Sequence, residues 1–426
     1  MKSIAFVYLG AGTYFGQPIG LLCLSAWINK YCSEWNPSIV DDSCEDAFKI
    51  LTDNNYDIIA ISAMTPQYEK AKMLASRLKS IKCKSEIIIG GVHISTLPES
   101  FEACFDRMVA GEGEIRLQNY LNGSSINNDV DLKEYPDLDY SLLHKNYFNP
   151  RPIRVWRDVV VESMVVASRG CPFDCRFCST TNFWKKYRAH SPEWVIRQVI
   201  NLSELGVTHI QFVDDLFTAN KKWLRRFVEL FESKKVSIKG VSIQSRTDTF
   251  DSEVVELLKS IRCKNVNFGL ESGSPKTLRY LKKTEISIDD NRRSLLLAKK
   301  NKIQTLGSFM IGNPGETLVD MFQTIRFIIW GLFNGLSDAV PFVTTVYPGT
   351  EFWKVAKEKG IVSDKMNFNI LALRSKGAGR ALLSEIPKWQ FIIIWYLIQL
   401  VVLPFKIKKA TKLLISMVKS GGYHVR

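Results

Sequence analysis

The sequence lacks an internal repeat, a low-complexity tract, and the long apolar run with cleavage site that marks an export signal. These absences exclude solenoid, fibrous and disordered classes and favour a soluble globular protein. Without an export signal, the nine cysteines are not expected to form a disulfide framework. We therefore expect a cytoplasmic protein whose clustered thiols serve metals or catalysis.

Positive charge is plentiful but unevenly distributed. The 57 Lys and Arg against 43 Asp and Glu give a net charge of +14, of which +11 falls in residues 354–426. Because the remainder is nearly neutral, the sequence does not favour nucleic-acid binding. The length of 426 residues suggests two or three domains.

An apolar run, Phe391–Phe405, lies inside this basic region. Its 15 residues are fewer than the roughly 20 that a membrane-spanning helix needs. Two hypotheses stay open. The run is either a buried C-terminal helix or a segment lying on the inner face of an anionic membrane. In the second case residues 389–426 make a peripheral contact beside Lys406, Lys408, Lys409 and Lys412.

The first 120 residues alternate strand and helix patterns, which predicts a doubly wound parallel α/β sheet. The predicted strands are Ser3–Leu9, Ser38–Val40, Tyr56–Ser62, Glu86–Gly90 and Arg107–Val109; the helices are Gly20–Tyr31, Cys44–Asn54, Tyr68–Ile81 and Gly113–Leu121. Ligands of such sheets bind beyond the carboxyl ends of the strands. Small residues there let a large ligand approach the backbone, and the candidate contacts are Gly10, Gly12, Ser62, Thr65, Gly90, Gly91, His93, Gly111, Glu112 and Gly113.

A polar, proline-containing stretch follows this first domain, residues 1–125. We assign residues 126–157 to a linker, 158–350 to a partial β/α barrel of the TIM type and 351–426 to a basic helical extension. The barrel strands are predicted at Val159–Ser168, His209–Val213, Gly240–Gln244, Asn265–Gly269, Gln304–Ile311 and Ala339–Val343. Chemistry is expected at their carboxyl ends.

Three cysteines follow the first barrel strand in the spacing CxxxCxxC: Cys171, Cys175 and Cys178. Thiolates this close can hold three corners of a cubane iron–sulfur cluster. Such clusters normally have four cysteine ligands, so one iron would be open to a ligand from outside the protein. Zinc is an alternative, but it needs a fourth ligand, and His190 lies twelve residues further on. Three cysteines buried by chance are the remaining alternative.

Other barrel strands also end in polar or glycine-rich motifs. Asp214 and Asp215 are adjacent carboxylates that suit either a cationic ligand or a helix cap. Gln244 and Arg246 offer an amide and a guanidinium, and the guanidinium suits a carboxylate. Glycine-rich turns follow at 269–274 and 310–316. Together, these successive strand ends predict one shared ligand site.

The cysteine spacing, with Phe177 before the last cysteine, resembles the signature of the radical S-adenosylmethionine superfamily. In that family the open iron of a [4Fe–4S] cluster binds the amino and carboxylate groups of S-adenosylmethionine. An electron from the cluster then cleaves the sulfonium to give a 5′-deoxyadenosyl radical. The resemblance therefore also implies an electron donor such as flavodoxin or ferredoxin.

Residues 3–360 also resemble the branch of this superfamily with an N-terminal cobalamin-binding domain. The shared motifs are GGVHISTLPE, GEGE, FVDDLF, GLESGSP, FMIGNPGET and YPGT. The resemblance implies that Arg246 and Glu271 contact S-adenosylmethionine. Further cofactor contacts are expected at Phe177, Asp214, Gln244 and Ser272, with Met310, Gly312 and Gly315 beside the adenine.

The shared motifs do not include the usual histidine ligand for cobalt. DxHxxG, which supplies a cobalt-binding histidine in many cobalamin proteins, is absent, as it is in several members of the branch. His93 could coordinate cobalt or lie against the corrin. We favour a loop histidine satisfied by backbone groups, which still permits contact with the corrin.

The resulting hypothesis is a cobalamin-dependent radical enzyme that methylates an unactivated carbon of a small organic, apolar or lipid-like substrate. By the resemblance, one S-adenosylmethionine methylates reduced cobalamin and a second supplies the radical that abstracts a substrate hydrogen. Radical oxidation or cyclisation without methyl transfer is an alternative reaction. A non-catalytic cobalamin or redox sensor is the alternative of another class.

Overall fold

The structure, a computed structural model, describes residues 1–10, 16–153, 156, 158–371 and 383–419. The chain forms two compact units. The first comprises Met1–Tyr147, Cys178–Trp194 and Val346–Ser375, and the second comprises Phe148–Phe177, Val195–Thr345 and Lys376–Arg426. Most of the predicted linker, and the start of the predicted extension, therefore belong to the first unit.

The first unit contains a five-stranded parallel sheet of order β2-β1-β3-β4-β5. Residues 4–7 of the interior strand β1 are all buried, as expected for a strand covered on both faces. The doubly wound fold predicted from the sequence is thus confirmed. The strands are β1 (Lys2–Tyr8), β2 (Trp35–Asp41), β3 (Ile58–Ser62), β4 (Glu86–Gly90) and β5 (Arg107–Val109); the helices are α1 (Ile19–Tyr31), α2 (Ala47–Asp53), α3 (Tyr68–Ser80), α4 (Val92–Thr96) and α5 (Gly113–Asn122).

The second unit contains a six-stranded parallel sheet, which forms the predicted partial barrel. Its strands have the order β15-β14-β13-β12-β11-β8. They are β8 (Glu162–Val165), β11 (His209–Phe212), β12 (Gly240–Ser245), β13 (Cys263–Glu271), β14 (Gln304–Ile311) and β15 (Asp338–Val343).

Helices alternate with these strands along the chain. Several begin at a side-chain cap that satisfies a free backbone N–H: Ser274 caps α10, Ser287 caps α11 and Thr317 caps α12. The helices are α7 (Pro192–Glu204), α8 (Lys221–Ser233), α9 (Ser252–Ser260), α10 (Pro275–Lys282), α11 (Ile288–Lys300) and α12 (Leu318–Phe333). The remaining short elements are β6 (Arg151–Ile153), β7 (Asp158–Val160), β9 (Ser168–Arg169), α6 (Thr180–Trp184), β10 (Arg188–Ala189) and α13 (Glu351–Glu358).

The prediction that Val159–Ser168 forms a single barrel strand is wrong. Its beginning is β7, which pairs antiparallel with β6, and only β8 enters the barrel sheet. The apolar run VVVESMVV gives no sign of this division, because the hairpin arm and the barrel strand are both apolar.

The last helix, α14 (Lys388–Lys419), is much longer than the predicted apolar run. It packs on β6, β7, β15 and α12. Phe391, Ile394, Ile398 and Val402 are buried there and lie on one helical face. The 20 residues Lys388–Ile407 are long and apolar enough to cross a membrane, by length and composition alone.

Gly273 provides a test of the barrel packing. A Cβ at Gly273 would lie 2.5 Å from the Gln323 carbonyl oxygen and 2.6 Å from Phe327 Cβ, both on α12. Gly273→Ala should therefore lower the free energy of unfolding by about 1–3 kcal/mol. Gly20→Ala is the matched control, since its Cβ would have no neighbour within 4 Å. Equal stability of the two variants in chemical denaturation would contradict this packing.

Candidate functional site

Strand register places the predicted cobalamin contacts at one edge of the first sheet. Tyr8, Ser62, Gly90 and Val109 are abreast at the carboxyl ends of β1, β3, β4 and β5. The strand order reverses between β1 and β3, which is where doubly wound sheets open a ligand crevice. Gly10 and Thr65 follow those two strands. Gly12 lies outside the described residues.

Three of the glycines at this edge, Gly10, Gly91 and Gly111, are also required by the fold. Gly91 has φ +95°, and a Cβ there would lie 2.7 Å from the carbonyl oxygen of Ala63. A Cβ at Gly10 would lie 2.5 Å from Ser43 Cβ, and Gly111 has φ +94°. Their presence alone is therefore not proof of a ligand. Glu112 forms an ion pair with Arg188, and Gly113 begins α5.

His93 is fully buried beneath the same edge. Its Nδ1 lies 3.1 Å from Thr65 Oγ1 and its Nε2 lies 3.0 Å from Ser100 Oγ. The rings of Tyr68 and Phe368 pack on it at 4.0 and 4.5 Å. Burial lowers the pKa of His93 to about 4, so the imidazole is neutral. Both nitrogens are engaged, which supports a structural role over cobalt coordination, although the partners are hydroxyls instead of backbone groups. Corrin contact stays a prediction.

In the second unit, the part of the cysteine loop that ends at Phe177 docks on the C-terminal end of α10. The Arg176 backbone N–H donates to the Leu281 carbonyl at 3.0 Å, and its Nε donates to the Tyr280 carbonyl at 2.9 Å. Lys283 Nζ lies 2.9 Å from Asp174 Oδ2. These bonds satisfy carbonyls that the end of a helix leaves free. They hold the residues between the cysteines in a defined conformation.

Arg246, at the end of β12, reaches the loop directly. Its Nη1 donates to Cys175 Sγ at 3.5 Å, and its guanidinium carbon lies 3.7 Å from the Phe173 ring centre. Two parallel hydrogen bonds to Asp248, at 3.0 and 2.7 Å, fix the guanidinium plane. Burial acts to lower the pKa of Arg246, but the bonds to Asp248 outweigh it and the pKa is raised.

Glu271, at the end of β13, is buried and paired with Lys282. Glu271 Oε1 lies 3.0 Å from Lys282 Nζ, and both side chains are less than one-tenth exposed. A Cβ at Gly269 would lie 2.4 Å from Glu271 Oε1, so a larger residue there would have to displace the carboxylate of the pair. Lys282 Nζ also lies 5.8 Å from the Phe177 ring centre. The pair thus joins a strand end to the cysteine loop.

Asp214, after β11, is buried and hydrogen-bonds the residues that lead into the cysteine loop. Its carboxylate accepts hydrogen bonds from the Ala167 backbone N–H at 3.1 Å and from the Ser168 hydroxyl. Burial raises its pKa to about 7, against the effect of these bonds. The following helix α8 is capped by Asn220, so the cap interpretation of Asp214 and Asp215 does not apply to that helix.

The loop after β14 is shaped by Glu316. Its carboxylate accepts the backbone N–H groups of Gly312 at 2.7 Å and Asn313 at 2.9 Å. Burial raises the pKa of Glu316 to about 7. Gly315 borders a cavity of about 310 Å³, beside Tyr280 of α10. This places the predicted adenine loop next to an open pocket.

Three other predicted contacts lie nearby on the same strands. Ser272 is fully buried and its hydroxyl lies 3.0 Å from Thr324 Oγ1, which favours packing with α12. Gln244 and Met310 are half-buried near the carboxyl ends of β12 and β14. Their contacts with a cofactor stay predictions.

The fit of a cluster rests on the thiols themselves. Cys171, Cys175 and Cys178 are thiols outside any disulfide, and each is half-buried. Within the part of the chain that the structure describes, no three Cys, His, Asp or Glu side chains form a ready-made metal cage. His190, the histidine considered as a fourth ligand for the zinc alternative, is fully buried and stacked on Trp194 at 4.0 Å. Three thiols on an anchored loop suit an iron–sulfur cluster, and a guanidinium hydrogen-bonds one of them.

Several residues of this site were missed from the sequence: Asp248, Lys282, Lys283 and Glu316. Asp248 lies two residues after the predicted contact Arg246, and Glu316 lies one residue after the predicted contact Gly315. Their closeness in sequence to these contacts could have identified them. Lys282 and Lys283 were not recognisable, because an ordinary helix end places them against the loop.

The buried carboxyl of Asp214 predicts a pH dependence. Its folded pKa of about 7 exceeds the ordinary 3.8. The folded state therefore keeps the proton longer, and stability is lost as pH rises through this window. The asparagine of Asp214→Asn does not titrate. As pH rises from 5 to 7.5, the free energy of unfolding of this variant should therefore increase by up to about 3 kcal/mol relative to that of the unsubstituted protein.

Chemical denaturation of the two proteins at both pH values measures this difference. Asp289→Asn, at a carboxylate that is 84% exposed on α11, is the matched control and should show no comparable gain. A difference between Asp214→Asn and the unsubstituted protein that stays constant with pH would contradict a raised pKa of this carboxyl.

Known proteins match both units. The Radical SAM superfamily profile matches residues 165–328, and the B12 binding domain profile matches residues 7–121. An uncharacterized methyltransferase of Pyrococcus horikoshii is 31% identical over 384 residues, covering 80% of this chain and 78% of the relative. A bacteriochlorophyllide d C-8(2)-methyltransferase of Chlorobaculum tepidum is 25% identical over 356 residues, covering 79% and 76%.

Solved structures support the fold. TsrM from Kitasatospora setae, a radical S-adenosylmethionine methyltransferase solved with cobalamin and a [4Fe–4S] cluster, has a TM-score of 0.68 at 16% identity, covering 84% of this chain and 78% of that one. The cobalamin-dependent radical enzyme OxsB has a TM-score of 0.64 at 18% identity, covering 87% and 58%.

Family membership favours an enzyme over the sensor hypothesis and implies three cofactors: a [4Fe–4S] cluster, S-adenosylmethionine and cobalamin. The anchored CxxxCxxC loop, the parallel strand ends and the extended match to a methyltransferase agree with one another. The chain belongs to the cobalamin-dependent radical S-adenosylmethionine methyltransferases.

Proposed function

We propose that this enzyme methylates an unactivated carbon of a small organic substrate of apolar or lipid-like character. The observation that carries the proposal is the cysteine loop anchored on α10, in a chain that also has a cobalamin-binding unit. When bound, the cluster supplies the electron that cleaves S-adenosylmethionine, and cobalamin carries the methyl group. We further propose that flavodoxin or ferredoxin delivers that electron.

The chain's own groups support binding of S-adenosylmethionine at the barrel edge. Glu271 offers a buried carboxylate held by Lys282, which suits the cationic amino group of the ligand. Arg246 is held by Asp248 with its Nη1 directed to the loop, where it suits a carboxylate. Both positions are also those that the family resemblance implies. Burial strengthens such charge pairs because water competes less.

The reaction is tested with methyl-labelled S-adenosylmethionine, cell extract as the substrate source, and reduced flavodoxin or ferredoxin. We expect label in an organic product together with 5′-deoxyadenosine. Cys175→Ala should abolish both, because it removes a cluster ligand. Cys83→Ala, a half-buried cysteine outside the loop, is the matched control and should retain both.

Two outcomes would change the assignment. Deoxyadenosine without transfer of the label would favour radical oxidation or cyclisation. Full activity of Cys175→Ala, or zinc in place of iron, would contradict the radical mechanism altogether.

The outward face of α14 supports a peripheral membrane contact. Its residues recur at helical spacing opposite the buried face, and all are large and exposed: Trp389, Ile393, Tyr396, Leu400, Leu403 and Ile407. A helix that is apolar on both faces needs an apolar cover on each. The barrel covers one face. We infer that residues 389–426 contact the inner face of a membrane, where the following lysines would add attraction to anionic lipids.

The packing favours a helix that lies on the membrane over one that crosses it. To cross, α14 would have to withdraw Phe391, Ile394, Ile398 and Val402 from the barrel, which would expose strands of the sheet. An interfacial helix keeps that packing and buries only its outward stripe. Trp389 and Tyr396 are aromatics of the kind that settle at this boundary.

Flotation with anionic vesicles tests the membrane contact. Leu400→Gln combined with Leu403→Gln should lower the bound fraction about tenfold or more, because two apolar side chains leave the lipid. Leu205→Gln combined with Leu296→Gln is the matched control, at exposed leucines elsewhere, and should bind normally. Binding should also weaken as salt screens the lysines. No binding of the unsubstituted protein to anionic vesicles would refute the contact.

A further inference from the structure

Arg246 is held in a way that a simple ligand-binding arginine does not require. Its side chain is only 7% exposed, and all three guanidinium nitrogens have protein partners. Nε and Nη2 bond Asp248, Nη2 also lies 3.2 Å from Thr284 Oγ1, and Nη1 bonds Cys175 Sγ. The hydrogen bonds of Nε and Nη2 therefore fix the guanidinium plane, and this orients the Nη1 N–H towards the thiol of Cys175.

The aromatic ring of Phe173 strengthens this arrangement. It lies against the guanidinium at 3.7 Å and comes from the same cysteine loop. The loop is thus fixed to Arg246 at two points, Phe173 and Cys175. Lys283, bonded to Asp174, and the carbonyls of α10, bonded to Arg176, hold the residues around them. Neither the donor nor the sulfur has much freedom to move away.

A hydrogen bond to a cysteine ligand affects the electron affinity of an iron–sulfur cluster. Reduction adds one electron and makes the sulfur ligands more electron-rich, so an N–H donor stabilises the reduced state more than the oxidised state. Since Asp248 balances the charge of Arg246, the effect comes mainly from the directed N–H, at short range.

We propose that Arg246 is a positioning residue for the cluster that raises its reduction potential by donating a hydrogen bond to Cys175. The electron taken up comes from the external donor, and no bond of Arg246 forms or breaks. This role is additional to the predicted contact of Arg246 with S-adenosylmethionine, because Nη1 carries a second N–H. The proposal rests on the cluster of the proposed function, but not on methyl transfer or on the substrate.

The test is a redox titration of the anaerobically reconstituted full chain without S-adenosylmethionine, followed by the electron paramagnetic resonance of the reduced cluster. In Arg246→Gln the ratio of reduced to oxidised cluster at a fixed solution potential should fall about three- to tenfold. A tenfold fall corresponds to about 59 mV for one electron. The signal of the reduced cluster should also change shape.

Two further variants make the test specific. Arg225→Gln removes the same charge from an exposed, ion-paired arginine on α8 and should leave the potential unchanged. Arg246→Lys keeps the charge without the fixed fork and should give an intermediate potential. Both variants of Arg246 should retain about four irons per chain, the content of one cubane cluster.

The proposal is overturned if Arg246→Gln retains its iron and titrates like the unsubstituted protein. Loss of iron from both Arg246 variants would also overturn it, and would make Arg246 part of the support that holds the cluster. The titration contains neither S-adenosylmethionine nor substrate. Its outcome therefore does not depend on whether the enzyme transfers a methyl group.

Discussion

Parallel pairing is the constraint on which the rest of this structure depends. Every strand of the barrel sheet runs in one direction, so Asp214, Arg246, Glu271 and Gly312 all follow strand ends at one edge. In the first unit the same pairing gathers Ser62, Gly90 and their neighbours. Within each unit, residues far apart in the chain thus lie at one edge of a sheet.

The second determinant is the use of buried charge to hold loops. Lys282 with Glu271 and Arg246 with Asp248 are ion pairs with buried members, and such pairs contribute little net stability after desolvation. Their value lies in orientation: each directs a side chain towards the cysteine loop. The end of α10 adds backbone carbonyls to the same loop. The loop is therefore organised by the barrel as well as by its own cysteines.

How much of this could be predicted from sequence depends on the range of each interaction. Glu86–Gly90 and Gln304–Ile311 are found as predicted, because each is an apolar run bounded by turn residues. The cysteine loop was likewise local and recognisable. The bond from Arg246 to Cys175 spans 71 residues, and no periodicity reports it. The length of α14 was missed because the apolar run ends at Phe405, whereas the lysines beyond it continue the helix.

The central claim is that the three-cysteine loop leaves one iron open for S-adenosylmethionine. Electron–nuclear double resonance of the reduced cluster tests it, with ligand isotopically labelled in its amino nitrogen and carboxylate oxygens. The account predicts hyperfine coupling from both labels, since both groups would be bonded to the open iron. A four-iron cluster that shows neither coupling at saturating ligand would contradict it.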